Sequence, residues 1–289
     1  LLPVETHRGC PYTCAFCNSP SQNVLYGGMS FFRKKTMHLI KEEIDNHIKQ
    51  WKVDYIYFWA DTFLAWTPRE FDEFCEMYSD IRLPFWCQTR IETITEAKLQ
   101  KLKDVGLNRM TFGMEHGNEE FRQRVVKREY SNDDAIRRMK ILPQLDITFS
   151  VNNIIGFPDE TRELAFDTIE INRHFSSDNL SCSILVPFHG TELRTYAEKR
   201  GYIAPDVICS VSNADDTVLR MPQWDREDIG RLRMVFAMYV KFPKNRWEEI
   251  KRAETDPNLH ARLSKEYEET FWSSPEAKIE KDLADAGLA

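Results

Sequence analysis

Cys10, Cys14 and Cys17 fall within eight residues of the stretch Gly9-Cys10-Pro11-Tyr12-Thr13-Cys14-Ala15-Phe16-Cys17, a C-x3-C-x2-C spacing with no fourth cysteine nearby. Closely set thiolates bind soft metals and iron–sulfur clusters. The number three is informative. A structural zinc site closes with four ligands, and an electron-transfer cubane takes four cysteines. A cubane held by three leaves one iron free for a substrate, by the logic of a catalytic metal that keeps an open position. Gly9 is expected to bring the backbone close to such a cluster and Pro11 to stiffen the loop. For this loop taken alone, a zinc knuckle or a non-catalytic cluster protein is the rival reading.

The other four cysteines, Cys75, Cys87, Cys182 and Cys209, are scattered, so the seven form no disulfide framework. Free thiols this close together fit a reducing cytoplasm. Cys75 lies in an amphipathic helical segment, and Cys87 and Cys182 in strands, where cysteine behaves as a small buried hydrophobe. The chain of 289 residues is 42% hydrophobic and 29% charged, enough to bury a core. Its 46 acids against 39 bases give a net charge of −7, which disfavours a general nucleic-acid-coating surface. Apolar runs such as Tyr55 to Ala60 are far short of the roughly twenty residues a membrane helix needs, so no membrane span is expected. The chain starts Leu-Leu-Pro-Val and reads as an excerpt of a longer protein.

To position the cysteine loop, the sequence offers six alternations of a short β-branched or aromatic run with a helical-period segment, the pattern of βα units around a parallel sheet. The strands are expected at residues 3–6, 54–60, 85–89, 109–113, 147–155 and 181–187. Helices are expected at 37–51, from Thr67, from Glu96 to Gly106, from Ser131 to Pro143, at 161–174 and at 192–199. Thr67, Pro68 and Glu70 spell a capping box, and Ser131 with Asp134 resembles a second one. Pro143 is expected to stop its helix. The basic stretch from Arg122 to Arg128 reads as a solvated helix face, and Trp66 and Trp86 as pocket candidates. Residues 1–201 would form the core. Residues 202–289 would form a mostly helical extension across the open side, with an apolar helix near 229–240 and a charged tail.

In order along the chain, several segments resemble the radical S-adenosylmethionine (SAM) superfamily. The cysteine motif matches its C-x3-C-x-aromatic-C signature, with Phe16 as the aromatic. Asp61-Thr62-Phe63 resembles the acidic loop after the second strand. Phe112-Gly113-Met114-Glu115-His116-Gly117 resembles the fourth-strand segment whose glutamate interacts with SAM. Ile154-Ile155-Gly156-Phe157-Pro158-Asp159-Glu160-Thr161 resembles the fifth-strand segment beside adenine, and Pro187-Phe188-His189-Gly190-Thr191 the sixth-strand turn. His7, His116 and Asp159 depart from the residues usual at their places.

The resemblance implies a partial (β/α)6 TIM-like barrel with the cluster at its C-terminal mouth. Cys10, Cys14 and Cys17 would hold a 4Fe-4S cluster, and Phe16, Asp61, Arg90, Glu115, Ile155 and Gly156 would contact SAM, with Asp61, Arg90 and Glu115 at strand ends where barrels carry their ligands. The open iron chelates SAM, a reductant such as flavodoxin or ferredoxin supplies one electron, and a 5′-deoxyadenosyl radical results. The flavour of the match is similar to members with a cobalamin-binding domain upstream. The leading expectation is therefore cobalamin-dependent methylation of a small-molecule substrate. A radical SAM cyclase, oxidoreductase or RNA methylthiotransferase is the alternative.

Overall fold

The computed structural model describes residues 1–26, 31–210 and 216–271. The chain opens with β1 (Leu2–Glu5), passes through a small antiparallel ribbon, β2 (His7–Arg8) with β3 (Arg33–Lys34), and continues through β4 (Ile56–Trp59), β5 (Phe85–Arg90), β6 (Leu107–Glu115), β7 (Thr148–Ile155) and β8 (Asn179–Ile184). Apart from the ribbon, the strands form one sheet in the order β1-β4-β5-β6-β7-β8, every neighbour parallel. Helices Met37–Gln50, Pro68–Tyr78, Glu96–Asp104, Asn132–Met139 and Arg162–Asn172 make the crossovers, and Glu192–Lys199 follows the last strand. This is a partial (β/α)6 barrel whose edges are β1 and β8.

Each of those six helices begins with a Thr or Ser side chain that accepts a backbone N–H of its first turn. Such a cap satisfies one of the donors a helix start leaves orphaned. At Thr67 the box is complete, because Glu70 also accepts from the Thr67 N–H at 2.7 Å. At Ser131 it is half a box. Ser131 accepts from the Asp134 N–H, but the Asp134 carboxylate, one methylene shorter than glutamate, turns to Arg137 and Arg138. Pro143 does not end that helix. The helix stops at Met139, and Pro143 sits in the first turn of a short following helix, Ile141–Gln144, where its missing N–H is no loss.

The sheet's outer face is apolar and closed. Phe58, Phe85, Cys87, Met110, Phe112 and Val151 are fully buried beneath the helices. Cys87 is thus core, and Cys75 and Cys182 pack against that core. Beyond β8 comes a helical extension. Its long helix, Arg226–Lys241, packs on β8 and on Arg162–Asn172, so it flanks one edge of the sheet; Trp247–Ala253 and Pro257–Phe271 follow. Residues 211–215 of the irregular stretch and 272–289 of the charged tail lie outside the described residues. Among the described residues no helix is long and apolar enough to cross a membrane.

Candidate active site

A cavity opens at the C-terminal end of the sheet. The loop after β1 supplies Cys10, Cys14, Phe16 and Cys17 to its lining, and the strand ends supply Asp61, Gln88, Arg90, Thr111, Gly113, Glu115 and Asn152, with Arg128 behind them. The cysteine loop is fastened from several sides. Cys10 Sγ lies 3.3 Å from Thr62 Oγ1, and Cys17 caps an eight-residue helix, Asn18–Leu25, accepting the Ser19 N–H at 3.4 Å. That helix was not legible from periodicity, because its only buried residue is Ser19. Ser19 Oγ donates to Asp61 Oδ2 at 2.7 Å, tying the loop to the acidic turn after β4. Burial pushes the Cys10 and Cys17 thiols up, against the pull of their hydrogen bonds. A metal would have to displace those protons.

Arg90 is buried at the end of β5, lies over the Tyr12 ring at 3.9 Å and donates to Cys14 Sγ at 2.9 Å, while Glu92 pairs with its other nitrogens. Glu115 ends β6 at φ +64°, just past a register shift that leaves Met114 as an extra residue in the strand. The left-handed turn folds the carboxylate back over Gly113, where an added Cβ would come within 2.0 Å of Glu115 Oε1. Arg128 clasps the same place, donating to Glu115 Oε1 at 3.0 Å and to the Gly113 carbonyl at 2.6 Å. Burial pushes Glu115 up, against the charges of Arg128 and Arg90. Burial also opposes the Arg128 charge, but Glu115 and its other neighbours outweigh it, and the guanidinium stays charged. We read the clasp as an ion pair.

Arg122 and Arg128 are therefore not a solvated face. Both are buried, and Arg122 donates to the carbonyls of His116 and Tyr130. Arg128 is a site residue that sequence reasoning missed, because a basic run that folds as a π-turn over Arg122–Val126 looks the same in sequence as a wet helix. Gly9 has φ +81°, and an added Cβ would meet Phe31, so it makes a close turn at the start of the cysteine loop. Trp66 and Trp86 are absent from the cavity lining. Trp66 is buried edge-on against His7, and Trp86 donates to Thr111 Oγ1 at 2.8 Å.

Ile155 and Gly156 are buried and do not line the cavity. Gly156, at φ +79°, packs against Ile184 and Ile229, and its neighbour Phe157 meets the Phe16 ring edge-on. The three departures from the usual residues act as ties. His7 donates from Nε2 to the Thr62 carbonyl at 2.9 Å, and burial pushes its pKa down, against that hydrogen bond. His116 Nδ1 accepts the Asn118 N–H, so Nε2 donates to buried Glu160 at 3.0 Å, joining the end of β6 to the turn after β7. Asp159 takes the left-handed position of that turn, φ +63°, and accepts bonds from Tyr196, Tyr202 and Arg200.

Do these residues fit an iron–sulfur cluster? Three sulfurs of one loop face a cavity whose far wall carries a carboxylate in a cradle that only glycine at 113 leaves open. Among the described residues no three of His, Cys, Asp and Glu are placed to share one metal ion. The sulfur donors at the cavity are the three thiols of the loop, the number a site-differentiated cluster takes.

Comparison with known proteins agrees with this geometry. The family model of the radical SAM superfamily matches residues 4–170. An uncharacterized methyltransferase of Pyrococcus horikoshii is 26% identical over 247 residues, 83% of this chain and 51% of that protein. The anaerobic magnesium-protoporphyrin IX monomethyl ester cyclase of Rubrivivax gelatinosus is 24% identical over 64% of this chain and 33% of its own length. The chain thus spans about half or less of the curated relatives it matches. Among solved structures, the cobalamin-dependent SAM radical enzyme OxsB superposes with a TM-score of 0.60 at 14% identity, over 99% of this chain and 50% of that one. The radical SAM methyltransferase TsrM of Kitasatospora setae gives 0.57 at 17% identity, over 71% of this chain and 41% of that one. With the cysteine signature, the parallel open barrel and more than half of the chain matched by the family model, this protein belongs to the radical SAM superfamily.

Proposed function

We propose that Cys10, Cys14 and Cys17 hold a 4Fe-4S cluster, that SAM binds beside it in the cavity, and that the protein uses both in cobalamin-dependent methylation of a small molecule. The observation that carries the reading is that three thiols of one loop share a cavity with Arg90 and the Glu115–Arg128 clasp. When bound, the cluster and SAM supply one-electron cleavage of a sulfonium and a 5′-deoxyadenosyl radical. The chain's own residues bind and orient. Arg90 places positive charge against the Cys14 sulfur. Glu115, held by Arg128, and Asp61, held by Ser19, present carboxylate oxygens as acceptors for polar groups of SAM. Phe16 shields the loop from water. Ile155 and Gly156 sit one layer back and support the adenine side through backbone and packing.

Methyl transfer is supported by the methyltransferase of Pyrococcus horikoshii among the relatives and by the likeness to the methyltransferase TsrM, and cobalamin by the likeness to OxsB. On this reading a cobalamin domain accompanies the barrel in the longer protein, a flavodoxin or ferredoxin delivers the electron, and the compartment is the cytoplasm. The cyclase relatives favour a second reading, radical chemistry without methyl transfer.

Anaerobically reconstituted protein should carry about four irons per chain. Replacing Cys10, Cys14 and Cys17 together by Ala should remove them, whereas Cys75→Ala should not; iron retained in the triple variant would sink the cluster assignment. With reductant and substrate, formation of both 5′-deoxyadenosine and S-adenosylhomocysteine supports methylation. Formation of 5′-deoxyadenosine alone, with no corrinoid bound by the longer protein, would leave the second reading.

A further inference from the structure

The sheet's inner face is organised in layers that the cavity only partly uses. Gln88, Thr111 and Asn152 belong both to this face and to the cavity lining, so the cavity continues down into the barrel. Beside Gln88, one residue past the Phe58–Cys87 pair, stands Trp59, aligned with Glu5 of β1. It alternates with buried Phe58, shares its face with Tyr57, and is 53% exposed. One layer deeper, outside the cavity lining, the Tyr57 and Trp86 rings pack with centroids 4.4 Å apart.

Each cation along this inner face already has an acidic partner. Arg109 pairs with Asp178, Arg90 with Glu92 and Arg128 with Glu115, and Glu5 is held by Arg8, while Asp61 accepts only from the neutral Ser19 hydroxyl. Besides Asp61, what remains is neutral. Gln88 donates from Nε2 to the Ala60 carbonyl at 3.3 Å, which leaves its Oε1 as a fixed acceptor. Opposite, Asn152 is anchored through Oδ1 by the Ser181 hydroxyl at 2.8 Å, which leaves its amide N–H groups to donate.

Resting on the reading above, we infer that the substrate portion inserted into the barrel is flat and carries no negative charge, an unsaturated ring bearing an amide-like donor and acceptor. Trp59 stacks the ring while Gln88 and Asn152 meet the polar edge. An anionic group inserted here would lose its hydration and find every nearby cation already paired, which is costly. A saturated ring would forgo the stacking available on the half-exposed indole.

Three small probes separate these terms: nicotinamide, which is flat and neutral; nicotinate, its anionic counterpart; and cyclohexanecarboxamide, which keeps the amide without the flat ring. Their binding to cluster-loaded, SAM-saturated protein is read by ligand-observed NMR titration. Nicotinamide should bind at least about fivefold more tightly than either of the others. Trp59→Leu should weaken it about fivefold, Trp59→Phe should restore it, and Gln88→Leu should narrow its lead over nicotinate. Nicotinamide that fails to bind, nicotinate that binds equally, or a Trp59→Leu variant with a native melting profile and unchanged affinity would each overturn the inference. SAM affinity of the wild type, measured in the same samples, tests the underlying reading separately. If SAM binds but the probes are not distinguished, only the substrate class falls.

Discussion

The two faces of the one sheet are built from opposite materials. On the outer face Phe58, Phe85, Met110 and Phe112 are sealed under helices, and Phe58 alone touches the rings of Phe63, Phe74, Tyr78 and Phe85. On the inner face the alternate residues are Trp59, Gln88, Thr111, Ser150 and Asn152, joined by side-chain hydrogen bonds such as Thr111 to Ser150 at 2.7 Å. Parallel strands are usually apolar on both sides because both are covered. Here the period-two alternation typical of a half-wet sheet survives inside a barrel. One face carries stability and the other is kept free for ligands.

Substitutions that cross this division test it. The largest expected effect is on the outer face: Phe58→Ala should cost about 3–5 kcal/mol, read as a lowered denaturant midpoint at constant slope. A loss below about 1 kcal/mol would mean that the aromatic cluster is looser than its ring distances indicate.

Next comes the Glu115–Arg128 clasp, where removing one partner strands a buried charge. Glu115→Ala should destabilise by about 3 kcal/mol and weaken SAM binding while leaving iron in place. The Glu115→Ala/Arg128→Ala double variant should be much less unstable than the sum of the singles, as groups in direct contact are. Additive losses, or unchanged SAM affinity by calorimetry, would remove the clasp from the site.

Gly113→Ala should have an intermediate effect, about 1–3 kcal/mol, because the new methyl must displace Glu115 from its cradle. Its signature is a fall in SAM affinity that Gly156→Ala, strained but away from the cavity, does not match.

The smallest effect concerns Asp159. Burial opposes its ionisation, but the bonds from Tyr196, Tyr202 and Arg200 outweigh this and hold its carboxyl below the usual range. A carboxyl with a depressed folded pKa contributes stability that is present above its unfolded value, about 3.9, and is lost as pH falls through the folded value. Asp159→Asn should therefore cost about 1 kcal/mol at neutral pH, and the difference should shrink as pH falls below the unfolded value and vanish once the folded carboxyl is protonated. A gap that persists in acid would point to packing instead.

How legible was this in the sequence? Alternation and caps located the elements well. The helix Glu192–Lys199 has the bounds its Thr191 cap and Gly201 imply, and the capping box at Thr67 is complete. Boundaries moved where packing overrode local signals. The fourth strand of the sheet runs to Glu115 and not to Gly113, because the bulge at Met114 lets pairing resume one residue later. Motif spacing brought the three cysteines, Phe16, Asp61, Arg90 and Glu115 to one cavity. It could not announce Arg128, which reaches the cavity only because the chain underwinds into a wider π-turn between Arg122 and Val126. Nor could it separate Gly113, whose missing Cβ the carboxylate needs, from Gly9, which serves a turn.

The cysteine loop has a mechanical consequence. The sheet's edges, β1 and β8, are not hydrogen-bonded to each other, yet the loop after β1 accepts the Leu193 N–H at Ala15 and reaches the Gly190 carbonyl through Ser21 Oγ. The ligand-bearing loop is thus also a strap across the seam, fastened to the turn that follows β8. Any change that lengthens or slackens the loop between Cys14 and Ser21 alters the gap between the sheet's edges, and any force that parts those edges bears on the three thiols.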